Sequence, residues 1–145
     1  MADADLAAEV HHSGGSYPVV AGWGLIQSLG DRFTDLGLTN TAYIITDENV
    51  MNLYARNVQR ALQSKGIAAH CFVIPAGETS KSFELAQAIY SWLASLKAER
   101  GHTIISVGGG VAGDLGGFIA ATYVRGMAWV QVPTSMAAMV DAVET

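Results

Sequence analysis

The stretch Ser106–Gly126, SVGGGVAGDLGGFIAATYVRG, joins a contiguous glycine run to a segment as apolar as a core strand. A flexible linker this rich in glycine would carry polar residues, not Val, Leu, Phe and Ile. Bare backbone is needed where two chain segments, or a chain and a ligand, approach closely. TIISV (103–107) runs straight into the cluster, and a helical segment through Ile119 and Ala121 follows it. Gly108, Gly109 and Gly110 therefore occupy a strand-to-helix turn.

The same alternation extends in both directions. TAYIIT (41–46) and AHCFVI (69–74) are continuous apolar runs short enough to be strands, and YPVVAG (17–22) and WVQV (129–132) flank them. Helical spacing of apolar residues marks the intervening segments: around Leu25–Phe33, from Val50 to Leu62 before Gly66, from Phe83 to about Glu99, and from Ser135 onward. Strands without period-2 alternation, separated by helices, predict an α/β fold with a mostly parallel sheet covered by helices on both faces. Residues 1 to about 15, ending HHSGG, read as a loose, flexible tail.

In such a sheet, ligands bind beyond the carboxyl ends of the strands. A glycine turn there lets a pyrophosphate approach the backbone, and the N–H groups opening the helix can donate to it. Gly113, Gly116 and Gly117 would let the helix pack tightly on a neighbour. Asp114 is a lone carboxylate in an apolar segment; burying it unpaired is costly, so it caps a turn or accepts from a ligand hydroxyl. The contiguous glycines meet the spacing G-x-G-x-x-G only in part, and no Lys-Ser/Thr follows them, which excludes a P-loop. Simple close packing also explains a turn of this kind.

Composition narrows the classes of function. Of the 145 residues half are hydrophobic and the net charge is −5, enough for a real core and unsuited to a phosphate backbone. Nucleic acid and membrane are therefore not expected partners: there is no basic run, and no apolar run reaches the roughly 18 residues that span a bilayer. Cys71 is the only cysteine, which fits a reducing, cytoplasmic setting. His11, His12, His70 and His102 have no metal-ligand spacing.

Four segments in order, TDENV (46–50), PAGETSKS (75–82), GGGVAGDLGGFIAATYVRG (108–126) and VPTSMAAMVDA (132–142), carry a resemblance. From Tyr17 to Ala142 the chain resembles the N-terminal, NAD-binding half of the 3-dehydroquinate synthases, within the sugar phosphate cyclases. The resemblance implies a Rossmann-like domain over residues 16–145. It also implies a shikimate-pathway lyase that turns 3-deoxy-D-arabino-heptulosonate 7-phosphate into 3-dehydroquinate and phosphate, using NAD and a divalent zinc or cobalt ion, as a homodimer.

It lends roles to matching positions. Asp47 and Asn49 lie near the adenosine ribose, and Asp47 serves equally well as a helix N-cap. Glu78 and Lys81 face the nucleotide; read without the resemblance they form a solvated ion pair. Gly109, Gly110 and Asp114 cradle the pyrophosphate and nicotinamide side. Thr134 and Ser135 match a Thr-Thr pair that bonds the cofactor, with Ser keeping the hydroxyl. Asp141 matches an active-site Asp. Arg125 matches an arginine that reaches the substrate phosphate of the neighbouring subunit. The family's metal ligands and most of its catalytic residues belong to a C-terminal domain that this chain is not expected to contain, so the chain alone is expected to be inactive. A standalone NAD-binding or regulatory module, or the same half of another sugar phosphate cyclase, are the alternatives.

Overall fold

A computed structural model of the chain describes residues 6–38 and 40–141. Four parallel strands form the sheet: β3 (Thr41–Asp47), β4 (Ala68–Ile74), β5 (Thr103–Gly108) and β6 (Ala128–Pro133), in the order β4-β3-β5-β6. A separate antiparallel hairpin, β1 (Leu6–His12) and β2 (Gly15–Val20), precedes them. The helices are α1 (Leu29–Asp35), α2 (Arg56–Gln63), α3 (Phe83–Ser95), α4 (Gly110–Thr122) and α5 (Met136–Asp141).

The two central strands explain the unbroken apolar runs. β5 is buried at every residue and β3 at all but its ends, because both faces are covered. Ala42 and Ile44 of β3 face α1 and α2, where Phe33, Val58 and Leu62 meet Ile105 and Val107. Tyr43 and Ile45 face the other way, onto Ile89 and Leu93 of α3 and Leu115 and Ile119 of α4. Each fully buried Leu, Ile or Phe contributes about 1.5–3 kcal/mol, so the two layers dominate stability. The chain steps from β3 outward to β4, then back across β3 to β5 and on to β6. Crossovers of one hand then require α2 on one face and α3 and α4 on the other, as observed.

Local chemistry fixes the element ends. Asp47 Oδ1 accepts the N–H groups of Asn49 (2.8 Å) and Val50 (2.9 Å), so its capping role is realised. The chain then enters one wide π turn, Met51–Ala55, before α2. Ser82 Oγ caps α3 by accepting from Leu85 N–H at 3.2 Å.

Residues 6–15 differ from the expected loose tail. Leu6–His12 pairs along its length with β2 across a turn that Gly15 makes with φ 142°. The strand is exposed at nearly every position. Backbone pairing rather than burial forms it, so hydropathy carries little trace of it. Among the described residues no helix is long and apolar enough to cross a membrane.

The glycines of α4 divide by what surrounds them. A Cβ on Gly116 would lie 1.9 Å from Ser106 Oγ, and one on Gly117 would meet the Trp129 ring at 2.8 Å. Helix and sheet touch there through bare backbone, and Trp129 Nε1 donates to Ser106 Oγ at 3.0 Å in the same contact. This part of the run is a packing device.

Candidate functional site

The earlier glycines do something else. β3 hands the chain to β4 on one side while β5 lies on the other, so the topological switch point falls between the carboxyl ends of β3 and β5. Asp47 ends β3 and Gly108 ends β5. With Oδ1 committed to the turn, Asp47 turns Oδ2 toward Gly108, 3.7 Å from where a Cβ on that glycine would be. A side chain at Gly108 would also strike Ala112 Cβ at 2.8 Å.

Beyond Gly108 the backbone is open. Gly109 caps α4 without a side chain to accept from the first N–H groups, and a Cβ on Gly110 would meet nothing within 4 Å. The first intrahelical bond is Gly113 N–H to Gly109 O at 3.1 Å. The mouth of α4 is thus uncapped, bare and rich in donors, the arrangement that suits an anionic group. On its far side Thr134 N–H donates to Gly108 O at 2.9 Å, holding the β6–α5 turn against the β5 end. Ser135 Oγ lies 3.6 Å from a Cβ built on Gly109 and also caps α5 by accepting from Ala138 N–H.

A third wall comes from the loop after β4. Glu78 opens a 3₁₀ turn and Lys81 closes it, and the two pair at 3.2 Å. Lys81 Nζ also reaches Asp114 Oδ2 at 2.7 Å. Asp114 is therefore neither buried nor a turn cap: its side chain is 64% exposed and tied to a cation. Sequence spacing could not foresee this pair, since 33 positions separate two residues that only the fold brings together.

Asp114 first, then Glu78, hold the Lys81 ammonium above its ordinary value of 10.5. A raised lysine pKa adds stability that is present below the unfolded value and is lost as pH climbs through the folded one. In an NMR titration Lys81 is expected to deprotonate above its ordinary value of 10.5, and Asp114→Asn to bring it back down. An unchanged Lys81 in that variant would contradict the pairing.

The remaining residues lie apart. Asn49 is exposed on the turn after β3. Asp141 ends α5, more than a turn of helix beyond Ser135. Arg125 sits at the opposite end of the sheet, past the 13-residue length of α4, about 20 Å of helix from Gly109. Its turn is strained, with Val124 at φ 44° and Arg125 at φ 66° before Gly126. Ala142 and Val143 lie outside the described residues. Cys71 is half-buried, and burial pushes its thiol up, which keeps it protonated and inert. Among the described residues, no three His, Cys, Asp or Glu side chains come together as a metal site.

Known proteins resemble this chain in sequence and fold. A family model described as 3-dehydroquinate synthase N-terminal matches residues 71–143. The 3-dehydroquinate synthase of Enterococcus faecalis is 41% identical over 127 residues, which cover 88% of this chain and 36% of that protein. That of Symbiobacterium thermophilum is 42% identical, over 87% of this chain and 36% of its own length. A crystal structure of 2-deoxy-scyllo-inosose synthase superposes with a TM-score of 0.84 at 21% identity, covering 93% of this chain and 38% of that one. The 2-epi-5-epi-valiolone synthase of Streptomyces hygroscopicus, solved with NAD+ and Zn2+ bound, gives 0.75 at 27% identity, over 94% and 37%. The chain spans little more than a third of the curated relatives it matches. With half its residues under the family model and a sheet built like those of the cyclases, the chain belongs to the 3-dehydroquinate synthase family.

Proposed function

We propose that the chain is the NAD-binding N-terminal part of a 3-dehydroquinate synthase. The enzyme would convert 3-deoxy-D-arabino-heptulosonate 7-phosphate to 3-dehydroquinate and phosphate, as a cytoplasmic homodimer. The observation that carries the reading is the uncapped, side-chain-free mouth of α4 at the switch point, facing a carboxylate on β3. Sequence identity favours this synthase over the other cyclases, at 41% against 21% and 27%.

NAD fits the residues present. Asp47 Oδ2 would accept from a ribose hydroxyl while its turn holds it still, with exposed Asn49 beside it. Gly109 and Gly110 would admit the pyrophosphate to the N–H groups of α4. Thr134 and Ser135 would close the far side with hydroxyls. Asp114 would act through Lys81, holding an ammonium near the phosphates instead of presenting a second negative charge to them, and Glu78 would balance that cation. When bound, NAD supplies a hydride acceptor for transient oxidation of a substrate hydroxyl.

The divalent metal of the reaction has no seat among the described residues. Among the described residues, Asp141 is the candidate for acid–base work. Arg125 lies too far from the chain's own crevice to serve it, which supports a contact with phosphate bound to a neighbouring subunit; a guanidinium suits that ligand because it binds bidentately.

The test joins this chain to the C-terminal remainder of the Enterococcus faecalis relative. The fusion is expected to release phosphate from the heptulosonate substrate with NAD and zinc or cobalt, and the 145-residue chain to release none. Metal-dependent release by the chain alone, or an inert fusion that folds and binds NAD, would contradict the reading.

A further inference from the structure

We propose that Glu48 is a positioning residue that holds the Pro75–Ser82 loop across the cofactor crevice; this rests on the NAD reading above. Within TDENV it stands between Asp47 and Asn49. Its side chain is exposed, and both its backbone N–H and its carboxylate are engaged. Glu48 N–H donates to Ile74 O at 3.1 Å, continuing the β3–β4 ladder one residue past β3. Glu48 Oε1 accepts from Ala76 N–H at 3.2 Å.

The consequence follows from the strand order. The loop leaves β4 at the sheet edge, is fastened by Glu48 at the exit of β3, and is fastened again by Lys81 to Asp114 on α4, which packs beside β5. A segment tethered at those two points must cross the mouth between β3 and β5. Between the tethers, Gly77 adopts φ 108°, a conformation that leaves it as the natural hinge. The rest of the loop is closed on itself: Ser80 is 4% exposed, its hydroxyl donates to Pro75 O, and its N–H donates to Gly77 O at 3.1 Å. The Ser80 turn is therefore tied through Pro75 to the β4 side of Gly77, and Glu48 fixes that side to the exit of β3. Without it the Ala76 N–H loses its acceptor, and Glu78 and Lys81 lose their set height over the crevice.

The role needs an oxygen acceptor of that length rather than a charge. Glu48→Gln keeps the acceptor and Glu48→Ala removes it. Both are compared with the wild-type 145-residue chain by NAD calorimetry and by amide hydrogen exchange at Ala76. Glu48→Ala is expected to speed Ala76 exchange and weaken NAD about tenfold, the scale of one lost hydrogen bond. Glu48→Gln should stay within about twofold of wild type on both readouts. An exposed side chain leaves the core intact, so the thermal midpoint should hold in both variants, which separates positioning from unfolding. If the wild type binds NAD and Glu48→Ala binds it equally well, the positioning role is overturned while the cofactor reading stands. A Gln variant as weak as Ala overturns it too, by showing that charge is what matters. Absence of NAD binding in the wild type defeats the cofactor reading, and this proposal with it.

Discussion

Gly116→Ala is expected to lower the thermal midpoint by about 10 °C. The new Cβ would lie 1.9 Å from Ser106 Oγ and 3.2 Å from Ser106 Cβ, in a strand buried at every residue. Neither side can give easily. β5 is hydrogen-bonded to β3 and β6, and α4 is pinned by Leu115 and Ile119 in the core. Moving the helix away would break the Trp129–Ser106 bond and open a gap under those side chains. Overpacking costs of about 1–3 kcal/mol, with a lost hydrogen bond near 1 kcal/mol, set the magnitude. Gly113→Ala, on the same helix, is the control: its Cβ comes only to 3.4 Å of Gln131 Oε1, at the end of a flexible side chain. There the better helix propensity of Ala should hold stability or raise it by up to about 1 kcal/mol. Equal midpoints for the two variants in a calorimetric scan would contradict the packing account.

In the catalytically complete fusion, Arg125→Ala is expected to cut kcat/KM about 100- to 1,000-fold, some 3–4 kcal/mol of transition-state binding. The expectation rests on the role the family resemblance proposes for Arg125, and the geometry accords with it. Arg125 stands a helix length from the glycine mouth, on a turn whose left-handed Val124 is costly for a β-branched residue. Gly126 N–H to Tyr123 O (2.9 Å) and Met127 N–H to Ala120 O (2.7 Å) hold that turn from both ends. Strain kept in place so firmly is a reason to look for a role, and presenting a guanidinium to another subunit is the role proposed. NAD affinity of the variant should be unchanged, since the two ends of α4 do not meet. A small loss in kcat/KM, or a fall in NAD affinity of similar size, would argue that Arg125 supports the domain instead.

The parallel sheet was legible because β3 and β5 are buried on both faces, which leaves unbroken apolar runs in the sequence. The close packing at Gly116 and Gly117 was also legible in outline, from small residues in a helix that follows TIISV. Other features left no such trace. The β1 strand is exposed and held by backbone pairing, so nothing in its hydropathy separates it from a tail. The Lys81–Asp114 pair joins two elements through the fold alone, so Asp114 looked like an isolated carboxylate. Glu48 leaves no trace for a related reason: its partner is a backbone N–H, which no residue pattern can announce.

The most direct test of the cofactor account is NAD binding to the chain and to its Gly110→Val variant, followed by calorimetry. A side chain at Gly110 begins in open space, with no atom within 4 Å of its Cβ, so the fold should tolerate it. That same space is where the pyrophosphate would approach the first turn of α4. The account predicts saturable NAD binding by the chain and loss of at least about tenfold in affinity in Gly110→Val, at an unchanged thermal midpoint. Failure of the chain to bind NAD, or undiminished binding by a folded Gly110→Val, would contradict it.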